Sequence, residues 1–182
     1  YNAGYTGGFR RWYFSPPVMT PLTNEMLRGI AARHHKSGVD GIYLFNFFGT
    51  AVTYDYDNRE AVDDMANPVR LQHKNKLFCL TRSNEARETF QNCLNSEHQI
   101  PVELSDSPVT LTIDVPDDLA SARPRLKAVQ LWLHIDNLTT DDQVEVQLND
   151  EPIVCTRPLV PGAYDPHPDA WLPYDLMDCL PK

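Results

Sequence analysis

Apolar residues recur at helical spacing in the first part of this chain and at every second position later, and the predicted elements follow from that change of period. Met26, Leu27, Ile30 and Ala31 share one face of a predicted helix over 23–37, with Thr23 placed to cap its start and Gly38 to stop it. Arg28, Arg33, His35 and Lys36 fall on the opposite face and are expected in water. The run Gly38-Val39-Asp40-Gly41-Ile42-Tyr43-Leu44-Phe45-Asn46-Phe47-Phe48 then predicts a fully buried strand ending on polar and aromatic residues. A second helix is expected over 58–66, punctuated by Asn67-Pro68, and a short third one over 69–76. Ser83 or Asn84 is placed to cap another, carrying Ala86, Phe90 and Leu94.

Beyond about residue 100 the pattern becomes that of half-buried antiparallel strands. Val109, Leu111, Ile113 and Val115 alternate with Thr110, Thr112 and Asp114. Val129, Leu131, Leu133 and Ile135 alternate with Gln130, Trp132 and His134, and Val144, Val146 and Leu148 with Glu145, Gln147 and Asn149. The segment 170–176 predicts a further strand, with Pro173 marking a sheet edge, and the proline-rich stretch 158–168 a long rigid loop. A helix feeding a buried strand is the repeating unit of a (β/α)8 barrel, whose chemistry sits at strand C-termini. The expected fold is therefore α/β followed by all-β: the terminal unit of a (β/α)8 barrel over 1–78, a connecting segment over 79–100, and an antiparallel β-sandwich over 101–182. One such unit cannot close a barrel, so a chain truncated at both ends is expected.

Composition narrows the function. With 182 residues and 42% hydrophobic content the chain can fill a core. Sixteen basic residues are thinly scattered against 25 acidic ones, for a net charge of −9, which argues against nucleic acid as a partner. No apolar run is long enough to span a bilayer, so no membrane partner is expected, and Tyr1-Asn2-Ala3-Gly4 carries neither an initiator Met nor a signal-peptide pattern. Cys79, Cys93, Cys155 and Cys179 show no CxxC and no His at ligand spacing, so neither a metal nor a cofactor is expected. Two disulfides are open to them, with Cys79–Cys93 and Cys155–Cys179 closing the shortest loops; buried free thiols are the alternative. Asn137-Leu138-Thr139 is a glycosylation sequon in a turn between strands. Sequon and even cysteine count together favour a secreted, extracellular protein.

Several segments carry a resemblance. They are Asn24-Glu25-Met26-Leu27-Arg28-Gly29-Ile30-Ala31-Ala32, Ser37 to Asn46, Arg125 to Leu138, Asp142-Gln143-Val144-Glu145-Val146-Gln147-Leu148-Asn149, and Trp171-Leu172-Pro173-Tyr174-Asp175-Leu176. In these the chain resembles the C-terminal part of glycoside-hydrolase-like proteins, in which a (β/α)8 barrel is followed by a β-sandwich. The resemblance implies a last barrel loop, helix and strand over 1–48 and most of the accessory sandwich over 101–182. It also implies that the catalytic carboxylates lie on earlier strands outside this chain, so no catalytic residue is carried over. A non-catalytic carbohydrate-binding or structural protein that keeps this architecture is the alternative. The implied partners are carbohydrate and the remainder of the parent protein, or another chain, completing the barrel.

In such a barrel the loop before the last helix and the loop after the last strand open on one face. That places Arg10, Arg11 and Trp12 near Asn46, Phe48, Tyr54 and Asp55. Aromatic faces stack on the C–H patches of a pyranose while Asn, Asp and Arg bond its hydroxyls, so this set is the expected substrate-binding wall. Phe47 and Phe48 as core plugs, with 54–57 as a solvated turn, is the plainer reading. Asp40 and Glu25 stand at the wrong ends of their elements for catalysis, and Asp55-x-Asp57-Asn58 lacks the later Gly and Glu of a calcium loop. On the sandwich, Trp132 and His134 share a face, read either as a surface covered by a neighbouring domain or as a lectin-like platform.

Overall fold

The computed structural model describes residues 23–44, 59–80, 99–157 and 171–181. These fall into two compact units, one ending at Asp117 and the other beginning at Asp118. The described residues combine a few short helices with small antiparallel sheets, and no closed barrel stands among them.

In the first unit, helix α1 runs Asn24–Lys36. Thr23 caps it, its hydroxyl accepting from Met26 N at 3.2 Å. At the other end Gly38, with φ 82°, donates to His35 O and Val39 to His34 O. That pair of bonds is a Schellman motif, and its left-handed residue is the glycine expected from the sequence. Helices α2 (Arg59–Met65) and α3 (Pro68–Leu71) follow, α3 capped by Asn67, whose Oδ1 accepts from Val69 N and Arg70 N. Leu27 and Ala31 of α1 meet Ala61, Met65 and Leu71 in a buried core. Removing a Leu-sized side chain from water contributes about 1.5–3 kcal/mol, enough to fix the packing of helices this short.

The third helix ends earlier than its periodicity predicts, at Leu71 rather than 76. The chain turns there so that the extended segment after it can lie on α1, where Leu77 N donates to Glu25 O at 2.9 Å. Gly29 makes this approach possible: a Cβ there would stand 2.2 Å from Leu77 O. Arg33 ties down further extended chain, donating to Asp114 O and Cys79 O with its guanidinium over the Phe78 ring. Residues 109–115, expected as a sandwich strand, form no ladder among the described residues and lie within this first unit. Leu111 and Ile113 are half-buried there, and the Gln99 side chain brackets the Thr112 backbone with bonds of 2.8 and 2.6 Å.

The stretch expected as a fully buried strand is described as far as Leu44, and it is covered on one side only. Ile42 and Leu44 pack on the helical core, whereas Tyr43 between them is 78% exposed. Alternate residues of an extended chain point to opposite sides, so the helices can cover only half of it.

The second unit opens with α4 (Leu119–Ala122), capped by Asp118 through Ser121, and a 3-10 turn at Arg123–Arg125. Strand β1 (Gln130–His134) pairs antiparallel with β4 (Trp171–Asp175), and β2 (Val146–Leu148) with β3 (Glu151–Ile153). A single antiparallel bridge, Cys155 to Tyr174, joins the β3 side to β4. The ladders remain two separate two-stranded sheets, with that bridge between them. Leu148 and Glu151 close the β2–β3 hairpin around Asn149 and Asp150, whose φ values of 50° and 69° make a type I′ turn. Ile153, Leu172 and Tyr174 form the core, with Leu131, Leu133, Val146 and Leu148 packed against it.

Candidate functional site

The alternation that buries Leu131 and Leu133 sends Gln130, Trp132 and His134 to the other face of β1. The register sets Asp175 opposite Gln130, Pro173 opposite Trp132 and Trp171 opposite His134. Directly opposed residues of an antiparallel pair share a face. One side of this sheet therefore carries the apolar core residues, and the other carries two tryptophans, a histidine, the buried Pro173 and a polar margin.

The aromatic side is held together by specific contacts. The His134 and Trp171 rings lie 5.4 Å apart and tilted by 40°. Arg157, which follows the bridge residue Cys155, places its guanidinium 6.0 Å from the Trp132 ring centroid and donates from Nη2 to Trp171 O at 2.9 Å. Trp132 Nε1 donates to Gln130 Oε1 at 3.2 Å, and His134 Nδ1 stands 3.7 Å from Asp136 Oδ1. Trp132 remains 41% exposed. Gln130, Asp136 and Asp175 rim the face and are exposed.

Charge is concentrated differently in the first unit. Asp64 is fully buried, and Arg28 Nε donates to its Oδ2 at 2.8 Å. Its Oδ1 makes no well-aligned hydrogen bond but lies 3.1 Å from Arg70 Nη2, and Lys74 Nζ is 3.6 Å from Oδ2. Arg28 and Lys74 also share Glu60, at 3.0 and 2.6 Å. Burial pushes the Asp64 carboxyl up, but the Arg28 hydrogen bond and the charges of Lys74, Arg28 and Arg70 outweigh it and hold the group below the usual carboxylate range. A carboxylate kept ionised by three cations suits helix packing and is poorly suited to donate a proton. Arg28, expected in water, is instead 6% exposed, because the carboxylates of α2 draw it into the interface.

The substrate-wall residues Arg10, Arg11, Trp12, Asn46, Phe48, Tyr54 and Asp55 lie outside the described residues. The sequon residue Asn137 is exposed with φ 62°, beside Thr139, whose amide and hydroxyl both donate to Asp142 Oδ2 at 2.7 and 2.8 Å. Cys79, Cys155 and Cys179 are free thiols, and Cys93 lies outside the described residues. Cys155 Sγ donates to Arg157 O at 2.9 Å. Cys179 instead lines a cleft of about 370 Å³ with Glu151 and Pro152. His35 Nε2 bonds Met65 O at 2.8 Å, which gives it a structural role. Among the described residues no group of His, Cys, Asp or Glu stands together as a metal site, and no helix is long and apolar enough to cross a membrane.

Trp171 and Arg157 are the members of the aromatic face that sequence reasoning missed. Trp171 was legible as a strand residue, and a second Trp at an alternating position was a signal for a shared face. Arg157 had no local signal, because only the Cys155 bridge brings it there. The chain matches no protein-family model, no curated protein and no solved structure.

Proposed function

We propose that this chain is part of a secreted, glycoside-hydrolase-like protein that binds or acts on carbohydrate, with the terminal unit of a (β/α)8 barrel followed by a β-sandwich. The observation that carries this reading is the one-sided packing of residues 41–44, with Ile42 and Leu44 on the helices and Tyr43 78% exposed. In a (β/α)8 barrel the side chains of each strand alternate between the helix layer and the barrel interior, and this segment has the first contact without the second. The antiparallel ladders of the second unit, with Ile153, Leu172 and Tyr174 buried on one side, support the sandwich part of the reading, because antiparallel strands with an apolar inner face are what a sandwich packs together. Asp64, the one fully buried carboxylate among the described residues, is committed to Arg28. The catalytic pair is accordingly sought elsewhere in the parent protein.

The test is a panel of soluble polysaccharides, with binding followed by isothermal titration and hydrolysis by release of reducing ends. The expected result is binding without hydrolysis by this chain. Failure to bind any member of the panel overturns the carbohydrate reading, and hydrolysis by this chain alone overturns the placement of the carboxylates outside it.

A further inference from the structure

We propose that the segment 109–115 is a pairing edge through which two copies of this chain join, antiparallel, about a two-fold axis at Thr112. The proposal is independent of the carbohydrate reading and concerns the helical unit alone.

The N–H and C=O of one residue point to the same side only in extended chain, and Gln99 engages both groups of Thr112. Its Oε1 accepts from Thr112 N at 2.6 Å and its Nε2 donates to Thr112 O at 2.8 Å. Two residues on, and so on the same side, Arg33 Nε donates to Asp114 O at 2.9 Å. Side chains of the unit thus occupy this edge of the segment. The other edge consists of the N–H and C=O groups of Val109, Leu111, Ile113 and Val115, and these have no hydrogen-bond partner among the described residues. Leu111 and Ile113 are half-buried, and Val109 and Val115 are 37% and 38% exposed. Unpaired backbone flanked by β-branched side chains is a template for a further strand.

The sequence identifies that strand. From Pro108 to Pro116 the chain reads nearly alike in both directions about Thr112: Pro-Val-Thr-Leu-Thr-Ile-Asp-Val-Pro. Antiparallel pairing of two copies centred there sets Val109 opposite Val115 and Leu111 opposite Ile113, each a hydrogen-bonded pair made from the open edge. Thr112 meets its counterpart at the axis as a non-hydrogen-bonded pair, with its backbone still turned to Gln99. The apolar side chains of both copies then line one face, and on the other Asp114 stands opposite Thr110, so like charges do not oppose each other. A register slipped by two residues leaves Val109 or Val115 without an apolar partner. Reciprocal contacts of this kind define an isologous dimer. Because Gln99 and Arg33 already occupy the second edge of each copy, pairing stops at two and does not grow into a fibre.

The full chain, kept reduced, would be followed by sedimentation velocity from micromolar to submillimolar concentration. A rise from 20.8 kDa to twice that mass is expected, and a mass that stays at 20.8 kDa throughout overturns the proposal. Ile113→Pro removes one N–H of the open edge and should weaken dimerisation by about tenfold or more, whereas wild-type dimerisation in a folded Ile113→Pro overturns the edge. Should that variant misfold, cysteine placement decides. In the proposed register the two Thr112 Cα atoms lie about 4.5 Å apart, within disulfide reach, while Thr110 faces Asp114. Thr112→Cys should therefore oxidise to a dimer that yields a peptide cross-linked between the two positions 112, and Thr110→Cys should give roughly a tenth of that yield or less. Absence of the 112–112 peptide, or equal yields from the two variants, contradicts the inference even if the chain dimerises.

Discussion

At the scale of single residues, Gly29 and Asp64 decide whether the helical unit holds. A methyl on Gly29 would meet Leu77 O at 2.2 Å, and that oxygen belongs to backbone bonded back to α1. Gly29→Ala should therefore destabilise the unit by about 2–4 kcal/mol despite its better helix propensity, as read from urea unfolding at 222 nm. Asp64→Asn removes the one buried anion of Arg28, leaving it the exposed Glu60 and Glu25, and should cost about 3 kcal/mol, and adding Arg28→Met should recover part of that loss. The pH dependence follows from the same pair. The folded carboxyl of Asp64 lies below its ordinary value, so its stabilisation is fully present above the unfolded pKa of about 3.9 and disappears as pH falls through the lower folded value. Wild-type urea midpoints should decline below about pH 4 more steeply than those of Asp64→Asn, and equal slopes would remove Asp64 from the account. Thr23 and Gly38 were legible in the sequence because a cap and a left-handed stop are local matters. Arg28 was misread because amphipathicity counts a charge as solvent-facing, and its partner lies 36 positions away.

Among the elements, the hairpin β2–β3 carries the clearest prediction. Asp150 holds φ 69° in a type I′ turn, where glycine adopts the conformation without the Cβ clash. Asp150→Gly should stabilise the sheet unit by about 0.5–1 kcal/mol, measured as a higher thermal midpoint. The alternation of β1 and the strand at 171–175 were readable because period two is written in the sequence. Their pairing was not, since register depends on what opposes what, and the segment 109–115 shows the same limit: its alternation is real, but it lies in the helical unit with no ladder among the described residues. The aromatic face was half legible for that reason, with Trp132 and His134 given by spacing and Trp171 and Arg157 only by pairing.

For the whole molecule, the two compact units have different kinds of stability and different parts in the proposed function. The helical unit rests on a small apolar core joined to a network of three cations and three carboxylates, Arg28, Arg70 and Lys74 with Glu25, Glu60 and Asp64. The sheet unit rests on the apolar side of β1 and β4 and carries its aromatic residues on the other. The proposed barrel-terminal reading of the helical unit rests on the segment 41–44, which has helices against one side and Tyr43 open on the other. Hydrogen–deuterium exchange of the chain, read residue by residue, tests that most directly. The account predicts that the amides of Ile42, Tyr43 and Leu44 exchange at nearly unprotected rates while those inside α1 are slowed by orders of magnitude. Protection of 42–44 equal to that of α1 would mean the strand is already paired within this chain, and would contradict the barrel-terminal reading.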